Sequence, residues 1–421
     1  MTFRPSARAR ALPRRACTAL LAVLTAVSAG LVAAPAAQAA EAERPPFYEP
    51  PAALPAHNGD VIRSEPSDFY LDPLKLLKAD AVVNRVMYRS TDGGGAPIAV
   101  TGTVLTPRTP WKGEGERPVI GYAPGTQGLA DHCAPSRRLA AGTEYEGLFA
   151  QGLLARGYAV AMTDYEGLGT PGVHTYVNRA VSGHAVLDMV RAAQRLPEAD
   201  LPDAGPVAVT GYSQGGGAAA AAAELAHGYA PELDLRGVAA GAVPADLPPV
   251  ARTLDGGPYS AFLGYAVAGL AAGDDLDLSP YLNEAGERFV ARAKEYCTEE
   301  ALLRLAFTRS ATLTEDGRPL TDHLEEEPFA SLVAEQEIGD GARAPRVPTL
   351  VTHSLLDDVI PYGVGKRMAA DWCAAGAEHV RFSSNLGPTH VGGAVAGFPV
   401  VFGWLEGRFA GRSPGSSCGW L

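Results

Sequence analysis

At 421 residues the chain is longer than a typical single domain, although α/β folds often spend that length on one domain with insertions. Hydrophobic residues at 47% against 19% charged exclude a mostly disordered protein. The formal charge is −12, and without the first 39 residues, which hold five arginines and no acid, 30 of the 35 basic groups face 47 acids for a net −17. A polyanion of that size repels phosphate backbones and anionic headgroups, which argues against nucleic-acid binding.

Residues 1–39 read as a secretory signal peptide. Arg4, Arg8, Arg10, Arg14 and Arg15 precede an apolar run from Ala16 to Ala34, and Ala37-Gln38-Ala39 supplies a small-x-small cleavage site. The alternative, a retained anchor, needs about 20 apolar residues, and this run only just reaches that. No other stretch is long and apolar enough to span a bilayer. The expectation is a secreted, extracellular protein without stable membrane insertion, cleaved near Ala39/Ala40.

Residues 40–75 are Pro-rich and read as an extended arm over the body. Strand-like segments follow at 80–91 and 97–107, joined by the turn signal Asp92-Gly93-Gly94-Gly95. Short apolar runs at 118–124, 158–164, 207–212, 235–244, 348–357 and 380–385 then alternate with helix-like segments near 144–156, 180–195, 214–227, 363–375 and 393–408. Antiparallel strands at the start and β-α alternation afterwards predict one α/β sheet, mostly parallel, with helices on both faces. Residues 245–345 break the rhythm and read as an inserted helical cap dividing the core into 76–244 and 346–421.

Once Cys17 leaves with the signal, Cys133, Cys297, Cys373 and Cys418 remain. Four cysteines in an oxidising compartment allow three connectivities. None has metal-ligand spacing, so neither a metal nor another cofactor is expected.

The chemistry gathers in three places. Gly211-Tyr212-Ser213-Gln214-Gly215 lies between the strand VAVTGY and an Ala-rich helix. A serine hydroxyl is a poor nucleophile unless presented openly beside a base. A sharp strand-to-helix turn presents it, and glycines two before and two after relieve the crowding that the turn creates. The segment from His353 to Pro361 enters as a buried strand and ends on Asp357-Asp358, where catalytic groups gather in open α/β sheets. Either acid can orient an imidazole; Asp357 comes first after the strand, with Asp358 facing solvent or capping the following helix. In the chain order Ser, Asp, His only His379 and His390 lie beyond Asp357. His379 faces the sheet's entry edge, whereas His390 lies in the loop between the last strand and the last helix. For a developing oxyanion the candidate donors are the backbone N–H of Gln214 and one from the loop Pro124-Gly125-Thr126-Gln127-Gly128; Pro124 has none to offer, so Thr126 is the choice and Gln127 the second.

With these pieces assembled, the sequence resembles the secreted, Candida antarctica lipase A-like family of α/β-hydrolases from about Pro46 to Cys418. The specific strings are Asp131-His132-Cys133-Ala134-Pro135-Ser136, Asp164-Tyr165-Glu166-Gly167, Tyr229-Ala230-Pro231-Glu232-Leu233 and Leu254-Asp255-Gly256-Gly257-Pro258. The resemblance implies an α/β-hydrolase fold with a helical cap and a Ser213/Asp357/His390 triad. It also implies hydrolysis of lipid carboxylic esters and disulfides Cys133–Cys297 and Cys373–Cys418. One departure is the oxyanion loop, which reads PGTQG where the yeast member carries an acid. The partner implied is a lipid or small ester, with transient contact at a lipid interface. The triad reports acyl transfer and not the leaving group, so a secreted peptidase or acyltransferase is the rival enzyme. A non-catalytic binding module on a hydrolase scaffold is the rival of another class. In the cap, Gly257–Gly273 is expected to line an acyl groove with Pro258, Phe262, Leu263, Tyr265, Val267 and Leu270, with Gly264 and Gly269 allowing close approach of a backbone or an acyl chain; a buried core helix is the alternative.

Overall fold

The computed structural model describes residues 44–421, so the expected signal peptide lies outside the described residues. Nine strands form one sheet: β1 Val61–Pro66, β2 Ala81–Thr91, β3 Pro97–Pro107, β4 Val119–Ala123, β5 Ala159–Tyr165, β6 Val207–Tyr212, β7 Leu235–Gly241, β8 Thr349–Ser354 and β9 Val380–Asn385. Their spatial order is β1-β2-β3-β5-β4-β6-β7-β8-β9. The pairs β1/β2, β2/β3 and β3/β5 are antiparallel, and every pair from β5 to β9 is parallel.

Parallel neighbours require crossovers, which helices supply. In the first half these are α1 Pro135–Ala141, α2 Gly147–Ala155, α3 Arg179–Arg195 and α4 Gln214–Tyr229. Between β7 and β8 come the cap helices α5 Leu247–Leu254, α6 Ala261–Gly273, α7 Glu284–Glu295, α8 Thr298–Arg304, α9 Leu320–His323 and α10 Phe329–Glu335. The chain closes with α11 Tyr362–Ala374 and α12 Thr389–Phe409.

The two-residue period of a strand sorts the core into two layers. On β4 and β5, Val119, Ala123, Ala159 and Ala161 join the cluster containing α3 and α4. Their alternates Ile120, Tyr122, Val160 and Met162 join Leu153, Trp404 and Leu405 of α2 and α12 on the other face. Both faces are therefore covered, and the central strands are buried along their length, save the half-buried Tyr212 that ends β6, as a doubly covered parallel sheet requires. The six buried alanines Ala218–Ala223 give α4 a slim face that seats it close against the sheet and α3.

Two elements differ from the sequence expectation. The Pro-rich segment contains the edge strand β1, and it is tied down by the buried Tyr48, whose hydroxyl lies 2.8 Å from Ser136 Oγ, and by Arg44, paired with Asp131 at 2.9 Å. The strand VIRSEP is only half-buried and ends on Pro66, as edge strands do, so it lacks the apolar alternation of the inner strands. Helix α1 is also additional; Pro135 opens it and Gly142 closes it in the left-handed conformation.

Because β5 lies on one side of β4 and β6 on the other, the chain reverses its winding direction between β4 and β6. The crevice at the carboxyl ends of those two strands is where ligands bind in open α/β sheets. Ala123 pairs with Gly211 in the β4/β6 ladder, which sets the loop after β4 beside the turn after β6.

Candidate active site

Ser213 occupies the turn between β6 and α4 at φ 61° and ψ −124°, a conformation that L-residues avoid and that functional sites retain. The two flanking glycines make it possible by steric absence. A Cβ on Gly211 would stand 2.3 Å from Gly215 O, and one on Gly215 would stand 2.0 Å from Ala123 O. The Ser213 N–H donates to Gly241 O at 3.0 Å, fixing the turn to β7.

Asp357 follows β8 and is fully enclosed. It accepts from the backbone N–H groups of Val359 (3.0 Å) and Ile360 (2.9 Å), and His390 Nδ1 approaches its two oxygens at 2.8 and 2.9 Å. Burial pushes this carboxyl up, but His390 and the two N–H groups together outweigh it and hold the group below its ordinary range. Since the carboxylate can only accept, Nδ1 carries the proton and Nε2 keeps its lone pair. That Nε2 is buried without a hydrogen-bond partner, so no hydrogen bond joins it to Ser213 Oγ in this structure. The Tyr212 hydroxyl, one residue before the serine, donates to His390 O at 2.8 Å and ties the two segments together.

Two expectations are corrected here. His390 is not in a loop but in the first turn of α12, after the N-cap Pro388. Of the two alternatives for Asp358, exposure holds and capping of the following helix does not: the residue is exposed, its Oδ1 accepts from the His390 N–H at 2.8 Å, capping α12 instead, and its Oδ2 accepts from Tyr259 at 3.2 Å. The paired acids thus act on one residue, one on its ring and one on its backbone. His379 is exposed and away from these contacts, and its carbonyl accepts from Thr349 N.

Among the described residues, the backbone N–H groups of Gln214, Thr126 and Gln127 have no acceptor, so the structure leaves both the first and the second choice in the loop open. The loop carrying Thr126 is held from several sides. Gly125 N donates to Glu146 Oε2 at 2.7 Å, Gln127 Nε2 to Glu144 Oε1 at 3.0 Å, and Tyr145 and Thr298 hydroxyls donate to Thr126 O at 3.1 and 2.7 Å. Burial raises the Glu144 carboxyl to about 7; burial and then the neighbouring Glu144 raise Glu146 to about 8. The sequence reading missed this pair, because nothing in the string TEYEG signals that its acids are enclosed.

The cap is stitched to the same loop. Cys133 and Cys297 form a disulfide across 164 residues, Gly128 pairs with Cys297, and Thr298 N donates to Gln127 O at 3.0 Å. A second disulfide, Cys373–Cys418, ties the C-terminal tail to α11.

An apolar pocket includes Ser213 and Gln214 in its wall together with Leu254 of α5, Phe262, Val267 and Leu270 of α6, and Ile360. Helix α6 is accordingly both largely buried and pocket-lining. Its glycines serve packing: a Cβ on Gly264 would meet the Phe289 ring at 2.8 Å, and one on Gly269 would meet Tyr176 N at 2.4 Å. Tyr265 is fully buried and donates to Tyr296 O at 3.1 Å, so it and Pro258 are not part of the wall.

A mostly parallel sheet wrapped by helices, with a capped crevice at its switch point, is the α/β-hydrolase fold. The chain belongs to the secretory lipase family, whose model matches residues 134–417. It is 30% identical to a probable inactive lipase of Mycobacterium tuberculosis over 87% of this chain and 82% of that one. It is 29% identical to a secreted triacylglycerol lipase of Malassezia globosa over 88% and 80%. The structure of Candida antarctica lipase A in its closed state superposes with a TM-score of 0.78 at 25% identity, covering 89% of this chain and 88% of that one. Two disulfides and a secretory family fit an extracellular protein, and among the described residues no helix is long and apolar enough to cross a membrane.

Proposed function

We propose that the protein is a secreted serine hydrolase that cleaves carboxylic esters of lipids through an acyl-enzyme on Ser213. The observation that carries the reading is the His390 ring, oriented by Asp357 through Nδ1 and left with a buried, unpartnered Nε2 at the end of the sheet that carries the strained serine. Ser213 Oγ attacks the ester carbonyl carbon as its proton passes to His390 Nε2. Asp357 fixes the tautomer and stabilises the imidazolium. The Gln214 and Thr126 N–H groups receive the oxyanion, which collapses and expels the alcohol as His390 returns the proton. Water then attacks the acyl-enzyme by the same route, releasing the acid and restoring Ser213. Hydrogen bonds of this kind often tighten only when substrate arrives.

The pocket supports an acyl chain as the group recognised. Its wall is aliphatic and aromatic, it includes the serine, and each buried CH₂ contributes about 0.8 kcal/mol. A lipid-binding protein without turnover is the second reading, favoured by the likeness to a probable inactive lipase. A fluorophosphonate decides between them, together with a panel of nitrophenyl esters and glycerides from acetyl to long-chain. The hydrolase reading expects a covalent label on Ser213, abolished in Ser213→Ala, and turnover of longer esters. An unlabelled Ser213 leaves only binding. For export, mass spectrometry of protein recovered from medium should find an N-terminus near Ala40.

A further inference from the structure

Three side chains of a single connection, the one leading from β5 to α3, reach both segments that offer N–H groups beside Ser213. Tyr165, the last residue of β5, donates from its hydroxyl to Pro124 O at 2.8 Å. The Tyr176 hydroxyl lies 2.7 Å from Thr126 Oγ1. His174 Nε2 lies 2.8 Å from Gln214 Nε2. The first two hold the loop after β4 and the third holds the first residue of α4.

The connection is braced against itself. His174 Nδ1 is 2.8 Å from Glu166 O, Thr175 Oγ1 donates to Glu166 Oε2 at 2.8 Å, and the Tyr165 ring stacks on the His174 ring at 5.6 Å. The chemistry of the His174 contact has one solution. A carbonyl oxygen only accepts, so Nδ1 carries the hydrogen and donates to Glu166 O, and Nε2 presents a lone pair. Burial drives this histidine down to about 4, so it is neutral at ordinary pH. The Gln214 amide must therefore turn its NH₂ to His174, which fixes the side chain of the pocket-lining residue whose own backbone N–H has no acceptor. The string Asp164-Tyr165-Glu166-Gly167 marks the start of this segment as part of the resemblance, but His174 and Tyr176, two apart in a loop, carry no pattern of their own.

We propose that His174 and Tyr176 are positioning residues for the oxyanion hole, one for each half of it, acting through Gln214 and Thr126. The inference rests on the acyl-transfer reading above. Its physical content is preorganisation: donors stabilise a developing oxyanion only if they are already aimed where the charge will form.

The test uses the full secreted chain and four variants. Tyr176→Phe removes one hydroxyl and keeps the ring that packs on Tyr265. His174→Leu removes the acceptor, and His174→Gln restores an amide oxygen near the position of Nε2. Ser213→Ala is the control. Four quantities are read: kcat and KM on 4-nitrophenyl butyrate, the inhibition constant of a trifluoromethyl ketone that forms a tetrahedral oxyanion adduct, and the rate of fluorophosphonate labelling of Ser213. Losing an oxyanion donor outright costs about 10²–10³ in kcat. Disordering one should cost less, about tenfold in Tyr176→Phe and more in His174→Leu, with KM within about twofold and ketone binding weakened by the same factor as kcat. His174→Gln should recover most of the loss. Unchanged kcat and ketone affinity in Tyr176→Phe would overturn the proposal. So would losses that appear in KM rather than kcat, or a His174→Gln variant no better than His174→Leu. If His174→Leu does not fold, Tyr176→Phe decides alone. A wild-type serine that resists the fluorophosphonate brings down the acyl-transfer reading and this inference with it, whereas equal labelling of the wild type, Tyr176→Phe and His174→Leu brings down this inference only.

Discussion

Asp357 and Asp358 are neighbours in sequence with separate tasks, and their variants should part accordingly. Asp357→Asn leaves the fold but removes the acceptor that sets the His390 tautomer, so kcat should fall by about 10³–10⁴. Asp358→Asn keeps an oxygen for the His390 N–H and should retain activity to within about tenfold, the loss expected of a weakened helix cap. Ester turnover of the two purified variants checks this, and an inactive Asp358→Asn beside a normal Asp357→Asn would reverse the roles. Glu144 and Glu146 offer a second test. Their carboxyls titrate at about 7 and about 8 in the folded protein against 4.5 for an unperturbed Glu. The folded state therefore binds more protons than the unfolded chain above pH 4.5. The stabilisation is complete below that value and is lost as pH rises through 7 and 8. Glu144 Oε2 and Gln127 Oε1 are both buried acceptors without a donor. Thermal melts from pH 5 to 9 should show the wild type losing several degrees more than Glu144→Gln, roughly what a difference of 1–2 kcal/mol implies. Parallel curves would mean that Glu144 is not held protonated.

The cap helix α6 is the element whose role the sequence left open between groove and core. The structure assigns the two to different faces. Ala266 and Val267 are half-buried and line the pocket, whereas Gly264 and Gly269 are closed over by Phe289 and by the backbone at Tyr176. Val267→Trp should thus abolish turnover of long acyl esters, spare acetyl esters and leave the melting temperature nearly unchanged. Gly269→Ala should cost about 1–3 kcal/mol of stability by overpacking and lower activity equally at every chain length. Equal chain-length profiles for the two variants would refute the division. Legibility followed the same line. The inner strands were readable because burial on both faces leaves unbroken apolar runs such as VAVTGY. The nucleophile was readable because its glycines are a local steric need. Strand β1 was hidden because an edge carries Arg63 and Glu65, and the turn of helix at His390 was hidden behind Gly387-Pro388. The loop's support by Glu144, Glu146, His174 and Tyr176 was invisible because burial of a polar side chain is decided by the rest of the molecule.

At the scale of the whole molecule the two disulfides have unequal consequences. Cys373–Cys418 closes 45 residues at the C-terminal end, far in sequence from the loop holding Thr126. Cys133–Cys297 closes 164 residues and joins the cap to that loop. Replacing the first pair by serines should cost stability, by up to about 2–4 kcal/mol, with kcat unchanged. Replacing the second should lower kcat as well, because the Thr126 carbonyl depends on Thr298, the residue after Cys297. Melting curves and ester turnover of the two double variants check the contrast, and equal kcat in both would contradict it.

The long disulfide also decides what a single cut in the cap leaves behind. The segment Ala272–Pro280 on the cap, rich in aspartate, is mostly exposed and lies between Cys133 and Cys297 in sequence. A protease cutting there leaves one fragment carrying Ser213 and another carrying Asp357 and His390, yet the bridge from Cys133 to Cys297 still spans the cut. Nicked molecules should run as one band without reductant and as two with it, and should keep working until reduced. The bond that docks the cap is thus also a splint, and a chain cut in the cap keeps the two halves of its candidate site on one molecule until that bond is reduced.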